Sequence, residues 1–464
     1  MIEKQKKKNN ISISAKSFIT ALIVIFALMA VCYILTFIVP AGEYLRDENQ
    51  AIIFDSYSKV NGGISFWKWI ASPILVLGAD GNVALIAVIA FLLVIGGVFN
   101  SLNSCDLIKY MLGKLTSRFA NKRYLLMAII LLFFMLLGSV VGSFEEVVPL
   151  VPIVVVLAIA LGWDVFTGIS MSLLAVGCGF AAGISNPFTV GVAQQIAGLP
   201  MFSGIWLRIV AFVLIYALLF AFVYFRAKKI EKPILENSGI TEIENNKNLN
   251  KATICFVSIL GAGIATLIAS SFISALQDYT MIIVAVMFLI AGIVSCIVSG
   301  MSGKSLGKTF VGGVVGILPA VLMILMASSI KYTLQEAKIL DSILHATSTI
   351  AESLPKWSVI LFVYLIVLVM NFFIPSGSAK AFMLIPIIMP IAQICGISPQ
   401  LCIVAFAFGD GFSNVMYPTN AALLISLGLV DVSYIDWFKK TWLFQLCNLL
   451  LTSAILLFGM AVGY

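Results

Sequence analysis

One stretch of this chain occurs twice. Residues 142–200 carry a polar, charged interruption inside apolar sequence, then a long apolar segment broken at Ser185-Asn186-Pro187. Residues 376–434 repeat the plan, with the break around Tyr417-Pro418-Thr419-Asn420. An ungapped shift of 234 residues lays Pro152 on Pro386, Gly162 on Gly396, Gly177 on Gly411 and Asn186 on Asn420. Paired interruptions within apolar segments point to a secondary transporter, whose substrate site lies where the interruptions meet.

That inference needs a membrane, and the composition supplies one. The 464 residues are 61% hydrophobic and 11% charged, against about 45–50% and about 25% in soluble domains. Mean hydropathy is +1.10. Apolar runs at 18–39, 82–99, 124–141, 205–225, 252–274, 280–299, 310–329 and 441–462 are long enough to cross a bilayer as helices. The first follows Lys4–Lys8 but is too long for a signal-peptide core, so it reads as a retained anchor. The eight cysteines show no CxxC or Cys/His spacing and read as small core hydrophobes, not a metal site. The net charge of +7 comes from loop lysines and arginines. In a membrane protein it reports orientation, not nucleic-acid binding.

The basic loops set the expected topology. The arm 1–16 is cytoplasmic by its lysines, and the acidic loop 41–80 lies outside. A full crossing at 124–141 would push the basic segment 226–251 outside, against the charge rule. A re-entrant hairpin over 124–162 removes the conflict, provided protein or a water-filled cavity covers its tip. The first repeat is therefore 17–225, with hairpin 124–162 and broken helix 165–198. A cytoplasmic linker, 226–251, and a single inverting span, 252–274, follow. The second repeat is 280–464, with a span at 310–342, hairpin 357–396 and broken helix 399–428. The expected fold is an all-α polytopic membrane protein of two inverted repeats, with the N-terminus cytoplasmic and the C-terminus outside. A weaker echo links Leu102–Leu112 with Leu334–Leu344 at a shift of 232.

Chemistry is expected at four places. The first tip holds Ser143, Glu145 and Glu146; a carboxylate at bilayer depth costs about 3 kcal/mol on insertion scales and needs a cation, a proton or a donor. The pair also suits a plain helix N-terminal cap. The first break holds Ser185, Asn186 and Thr189 beside Pro187, where proline frees a carbonyl and the amide both donates and accepts. The plain alternative is a proline kink. The second tip, Ser376, Gly377, Ser378 and Lys380, offers an anion-friendly backbone nest. Lys380 has three readings: substrate contact, a partner for a carboxylate of the other tip, or a snorkelling side chain. The fourth place runs from Asp410 through Asn414 to Thr419 and Asn420. Asp410, a lone acid within a span, binds a substrate amine, carries a proton, or serves as a structural partner for Lys380. A sodium ion is an option near Ser143, Asn186, Ser378 and Asn420. His345, the single histidine, is expected on an outer loop.

The tips and breaks, with GSFEEVVPLVPIVVVLAIALGWD at 142–164, resemble the C4-dicarboxylate anaerobic carrier family of the ion transporter superfamily. They resemble most its YfcC branch, associated with basic amino-acid antiport such as arginine/ornithine exchange. The resemblance spans nearly the whole chain and implies two hairpins, inverted repeats and an elevator-type transport domain moving on a scaffold that often dimerises. It also implies a bacterial inner-membrane location. The charge inventory, Glu145, Glu146 and Asp410 against Lys380, favours a cationic amino acid. Sodium- or proton-coupled transport of dicarboxylates or other small carboxylates is the alternative, with the acids then carrying the ion. A channel is remote, because the polar residues cluster at paired interruptions in one chain. No HExxH, GxSxG, Walker or His-cluster motif is present, so no catalysis and no cofactor beyond a coupling ion is expected.

Overall fold

The computed structural model describes residues 15–47, 52–53, 56–79, 83–111, 114, 122–142, 144–200, 202–232, 246–271, 280–352 and 354–464. Apart from two paired two-residue strands, Gly42–Glu43 and Ser58–Lys59, the described chain is helical. Among the described residues, Arg123–Val141, Val165–Ile196, Ile205–Ile230, Gly303–Glu336 and Tyr434–Ala461 are each long and apolar enough to cross a membrane. Phe37, Val213, Phe225 and Leu450 project from these and neighbouring helices as exposed apolar side chains, as lipid contact requires. The chain is a multi-pass membrane protein.

The helices form two sets. One comprises Ala15–Ile38, Phe66–Leu75, Val83–Ser104, Lys247–Ser271, Thr280–Val298 and Gly303–Glu336, packed chiefly on one another. Gly96 and Gly313 let the backbones of Val83–Ser104 and Gly303–Glu336 approach: a Cβ on Gly313 would lie 2.1 Å from the Gly96 carbonyl oxygen. Small residues at a membrane-helix interface allow this. Asn100 Nδ2 then donates to the Thr309 carbonyl at 2.6 Å. The second set contains both expected hairpins and both broken helices, together with Ile205–Ile230 and Tyr434–Ala461.

In this second set, several positions related by the 234-residue shift take comparable local geometry. Gly162 and Gly396 both adopt positive φ, +89° and +62°. Each ends the second arm of a helix–turn–helix, where a left-handed residue closes the last turn. The next helices start from Asp164 and Ser398 as N-caps. Arg123–Leu136 packs on Ala175–Ala182, and Lys356–Phe373 packs on Pro399–Asn414. Between the halves the contacts are reciprocal. A Cβ on Gly177 would meet Val415 Cγ1 at 2.5 Å, and one on Gly411 would meet Ala181 Cα at 2.2 Å. Ala181 and Val415 are themselves 234 positions apart.

The ends of the second set are distinct. At one end Arg226 pairs with Asp164 at 2.7 Å, Arg123 pairs with Glu231, and Lys440 sits 3.4 Å over the Phe166 ring. Burial pulls the Asp164 carboxyl upward, but bonds from Thr167 and the Arg226 charge outweigh it and hold it below the usual carboxylate range. At the other end Gln194 Nε2 donates to Gln400 Oε1 at 3.0 Å, and the Tyr464 hydroxyl donates to the Gly204 carbonyl.

Several boundaries depart from the sequence expectation. The span expected over 310–342 is one helix only to Glu336, because Lys338 takes φ +57° and turns the chain into Leu340–Glu352. His345 therefore lies on a helix, not a loop, stacked 4.0 Å from Tyr57. The linker 226–251 is helical at both ends, up to Ile230 and again from Lys247; basic residues suit the last turn of the incoming helix.

Candidate functional site

The first tip docks on the first break. Gly142 ends the π-helical turn Leu137–Val141 with φ +76°, and a Cβ there would lie 2.3 Å from Asn186 Oδ1. Ser139 holds the break from below: its hydroxyl accepts from Ile184 N at 3.0 Å, and its carbonyl accepts from Ser185 N at 3.1 Å. Asn186 restarts the helix, its Oδ1 accepting from Phe188 N at 2.9 Å and Thr189 N at 3.3 Å. The amide therefore serves as the N-cap that proline cannot supply. Its Nδ2 and the Thr189 hydroxyl are buried without a partner. Ser143 lies outside the described residues.

Glu145 and Glu146 open the 3-10 turn Glu145–Leu150. Both are half-buried. Glu146 Oε2 folds back to accept from Phe144 N at 3.1 Å, the capping role foreseen as the plain alternative. Among the described residues neither acid makes an ion pair. The turn packs against Val83–Ser104 of the first set and against Ala421–Leu429 of the second break. The acids therefore stand at the seam between the two helix sets.

The second tip docks on the first break as well. Ser378 Oγ donates to the Phe188 carbonyl at 2.9 Å. A Cβ on Gly377 would lie 2.6 Å from Thr189 Cγ2 and 2.8 Å from Asp410 Oδ2. Ser376 is exposed. Lys380 is fully buried. Its ammonium donates to Asp410 Oδ1 at 2.5 Å, to the Ile374 carbonyl at 3.2 Å and to Asn371 Oδ1. Its partner is thus the acid of its own half, not one from the opposite tip, because Asp410 sits directly beneath the turn. Asp410 Oδ2 is left buried without a partner.

Asn371 is the hub that sequence reasoning missed. Its Nδ2 reaches the Asp410 carbonyl at 3.2 Å, Ser413 Oγ at 2.6 Å and Asn414 Oδ1 at 2.9 Å. Asn420 Nδ2 donates to Asn414 Oδ1 at 3.2 Å, and Asn420 Oδ1 caps Leu423 N at 3.1 Å. Thr419 is buried beside it with its hydroxyl free of protein partners. Trp437 Nε1 donates to the Val415 carbonyl at 2.8 Å and so anchors the second break. The lone signal for Asn371 was an amide inside the apolar run before Pro375.

A cavity of about 450 Å³ opens beside the second tip, lined among others by Ala379, Phe382, Lys331, Arg46, Lys338 and Asp341. Arg46 pairs with Asp341 at 2.9 Å and Lys338 with Glu43 at 3.1 Å. Lys331, which the sequence reading did not single out, has no ion pair among the described residues. The four expected places thus converge: both tips meet the first break, and the first tip also meets the helix after the second.

The chain resembles several known proteins. The chain is 28% identical, over 82% of its length and 78% of the relative's, to the "Putative basic amino acid antiporter YfcC" of Escherichia coli K12. It is 23% identical, over 95% and 96%, to an uncharacterized protein of Haemophilus influenzae. Among solved structures it is similar to the Alcanivorax borkumensis YdaH transporter, at TM-score 0.47 and 17% identity over 96% of this chain and 99% of that one. It is also similar to Neisseria gonorrhoeae MtrF, described with a class of antimetabolite efflux pumps, at TM-score 0.46 and 15% identity over 94% of each. The family described as the C4-dicarboxylate anaerobic carrier, DcuC, matches residues 18–461, and this chain belongs to that family of membrane transporters.

Proposed function

We propose that the protein exchanges a cationic amino acid, with arginine and ornithine as the reference pair, by alternating access across a bacterial inner membrane. The observation that carries this reading is the charge left over at the seam. Lys380 and Asp410 neutralise each other out of reach of solvent, whereas Glu145 and Glu146, half-buried, have no ion pair among the described residues. A substrate amine or guanidinium supplies the missing cation, and the unpartnered Asn186 Nδ2 and Thr189 hydroxyl are available to its polar atoms.

The reading includes two inverted repeats whose hairpins and broken helices move as one transport body against the first helix set. The reciprocal glycine contacts support the repeats, and the chiefly internal packing of each set supports the division. The clustering of Arg226 and Lys440 at Phe166 supports one cytoplasmic face, with the N-terminus there and Tyr464 outside. The charge rule assigns the sign.

A second reading is coupled uptake of a small carboxylate. Lys331, in the cavity beside the second tip and without an ion pair among the described residues, favours it.

Uptake of labelled arginine into proteoliposomes loaded with arginine or ornithine tests the choice. Uptake that requires internal substrate and ignores a sodium gradient is the expected result. Ion-driven uptake of a dicarboxylate, with no arginine exchange, would replace the first reading by the second.

A further inference from the structure

The second tip contains the makings of a cation site. Three oxygens of different kinds converge there: a carboxylate oxygen of Asp410, the side-chain amide oxygen of Asn371 and the backbone carbonyl of Ile374. Ile374 follows the last turn of the helix Lys356–Phe373, where the unsatisfied carbonyls give the helix its negative end. In transporters, carbonyls of this kind at helix ends and unwound segments coordinate the coupling ion. All three oxygens here are taken by one atom, the Lys380 ammonium, carried in by the chain itself from the first turn after the tip.

We propose that Lys380 is a tethered cation occupying what would otherwise be a monovalent-cation site at the second tip, so that this half of the carrier needs no sodium to hold its tip closed on Asp410. The arrangement holds together electrostatically only with a positive charge at that point. Asp410 is fully buried and its second oxygen has no partner, and a buried carboxylate without a counter-charge is strongly destabilising. The same need would recruit a solution cation if the lysine were shortened. Asn371 and Asn414 would keep the acid's surroundings in place, because Asn371 Nδ2 bonds the Asp410 carbonyl, Ser413 and Asn414 independently of the ammonium.

The test is thermal unfolding of the purified full chain in detergent, with sodium chloride titrated against choline chloride at constant ionic strength. The comparison is wild type, Lys380→Ala, and the double variant Lys380→Met/Asp410→Asn, which has neither charge. Lys380→Ala should gain a saturable sodium-dependent rise in midpoint that the other two lack. At 100 times the dissociation constant of the new site, its folded-to-unfolded ratio should be raised about 100-fold. Exchange by Lys380→Ala in proteoliposomes should likewise become sodium-dependent. The unfolding readout does not depend on which substrate the carrier moves, so failure of the arginine reading would leave it intact. Three results would overturn the proposal: a Lys380→Ala variant whose midpoint ignores sodium, one that is unfolded in both salts while the double variant folds, or a wild-type sodium response that the double variant loses.

Discussion

At a shift of 234 residues, Lys380 of the second tip falls on Glu146 of the first. The two tips therefore place opposite charges at matching positions, and the fold treats them differently. Lys380 is buried completely and held by three oxygens. Glu146 is half-buried and uses one oxygen to cap its own turn at Phe144 N. One tip is closed by an internal ion pair, whereas the other presents its charge at the seam between the helix sets. The two tips are thus held differently: the second is locked by an ion pair, and the first leaves its acids without one among the described residues.

The sharpest way to break that contrast is to remove the counter-charge on one side only. Asp410→Ala leaves a buried ammonium without its acid and should cost about 3–5 kcal/mol of stability, read as a large fall in the thermal midpoint. Glu146→Gln at the other tip should leave the midpoint nearly unchanged. If the two variants fall equally, the tips are not functionally distinct.

The helix crossing gives a smaller and asymmetric effect. Gly411→Ala drives a methyl into the Ala181 backbone, whereas Gly177→Ala meets the Val415 side chain. Overpacking costs about 1–3 kcal/mol, and the first variant should take the larger share in the same unfolding measurement.

The breaks separate next. Asn420→Ala loses a cap and a link to Asn414, while Asn186→Ala loses a cap alone. A cap is worth about 1 kcal/mol. Membrane abundance should fall more for Asn420→Ala, while Asn186→Ala should lower arginine exchange per molecule at near-normal abundance. Within the first tip, Glu145→Gln should impair exchange more than Glu146→Gln, because Glu146 already has a backbone partner; equal, near-normal rates would remove the acids from substrate binding.

The smallest effect lies at the starts of the broken helices. Asp164 caps Thr167 and pairs with Arg226, while Ser398 makes no side-chain cap. Because the folded Asp164 carboxyl is held below its unfolded value of about 3.9, its stabilisation is present above that value and is lost as pH falls through the lower folded one. An acid titration of the midpoint should show this loss in wild type and not in Asp164→Asn.

How far the sequence carried this picture depended on the type of signal. The tips and breaks were legible because Gly, Pro, Asn and charged residues interrupt otherwise apolar stretches, and each interruption became a turn or a helix restart. Asn186 and Asn420 were legible as a pair through the repeat. Asn371 was not: its importance comes from neighbours 39–43 residues away, which no local pattern encodes. Lys380 was visible, but its partner was a choice among acids that only packing could make. Lys331 was hidden for a simpler reason, since a lysine near the end of an apolar helix ordinarily snorkels to the interface.

The crossing of the broken helices has a mechanical consequence. At Gly177 and Gly411 the helices touch with no side chain from either glycine between them, and each glycine abuts a residue of the opposite half. A slide of even one helical step would bring the flanking Val176 and Cys178, or Asp410 and Phe412, into that gap. The centre therefore behaves as a rivet, not a bearing. On the proposed alternating-access reading, compliance then belongs to the boundary between the two helix sets, and the pair of broken helices would travel as one piece of framework.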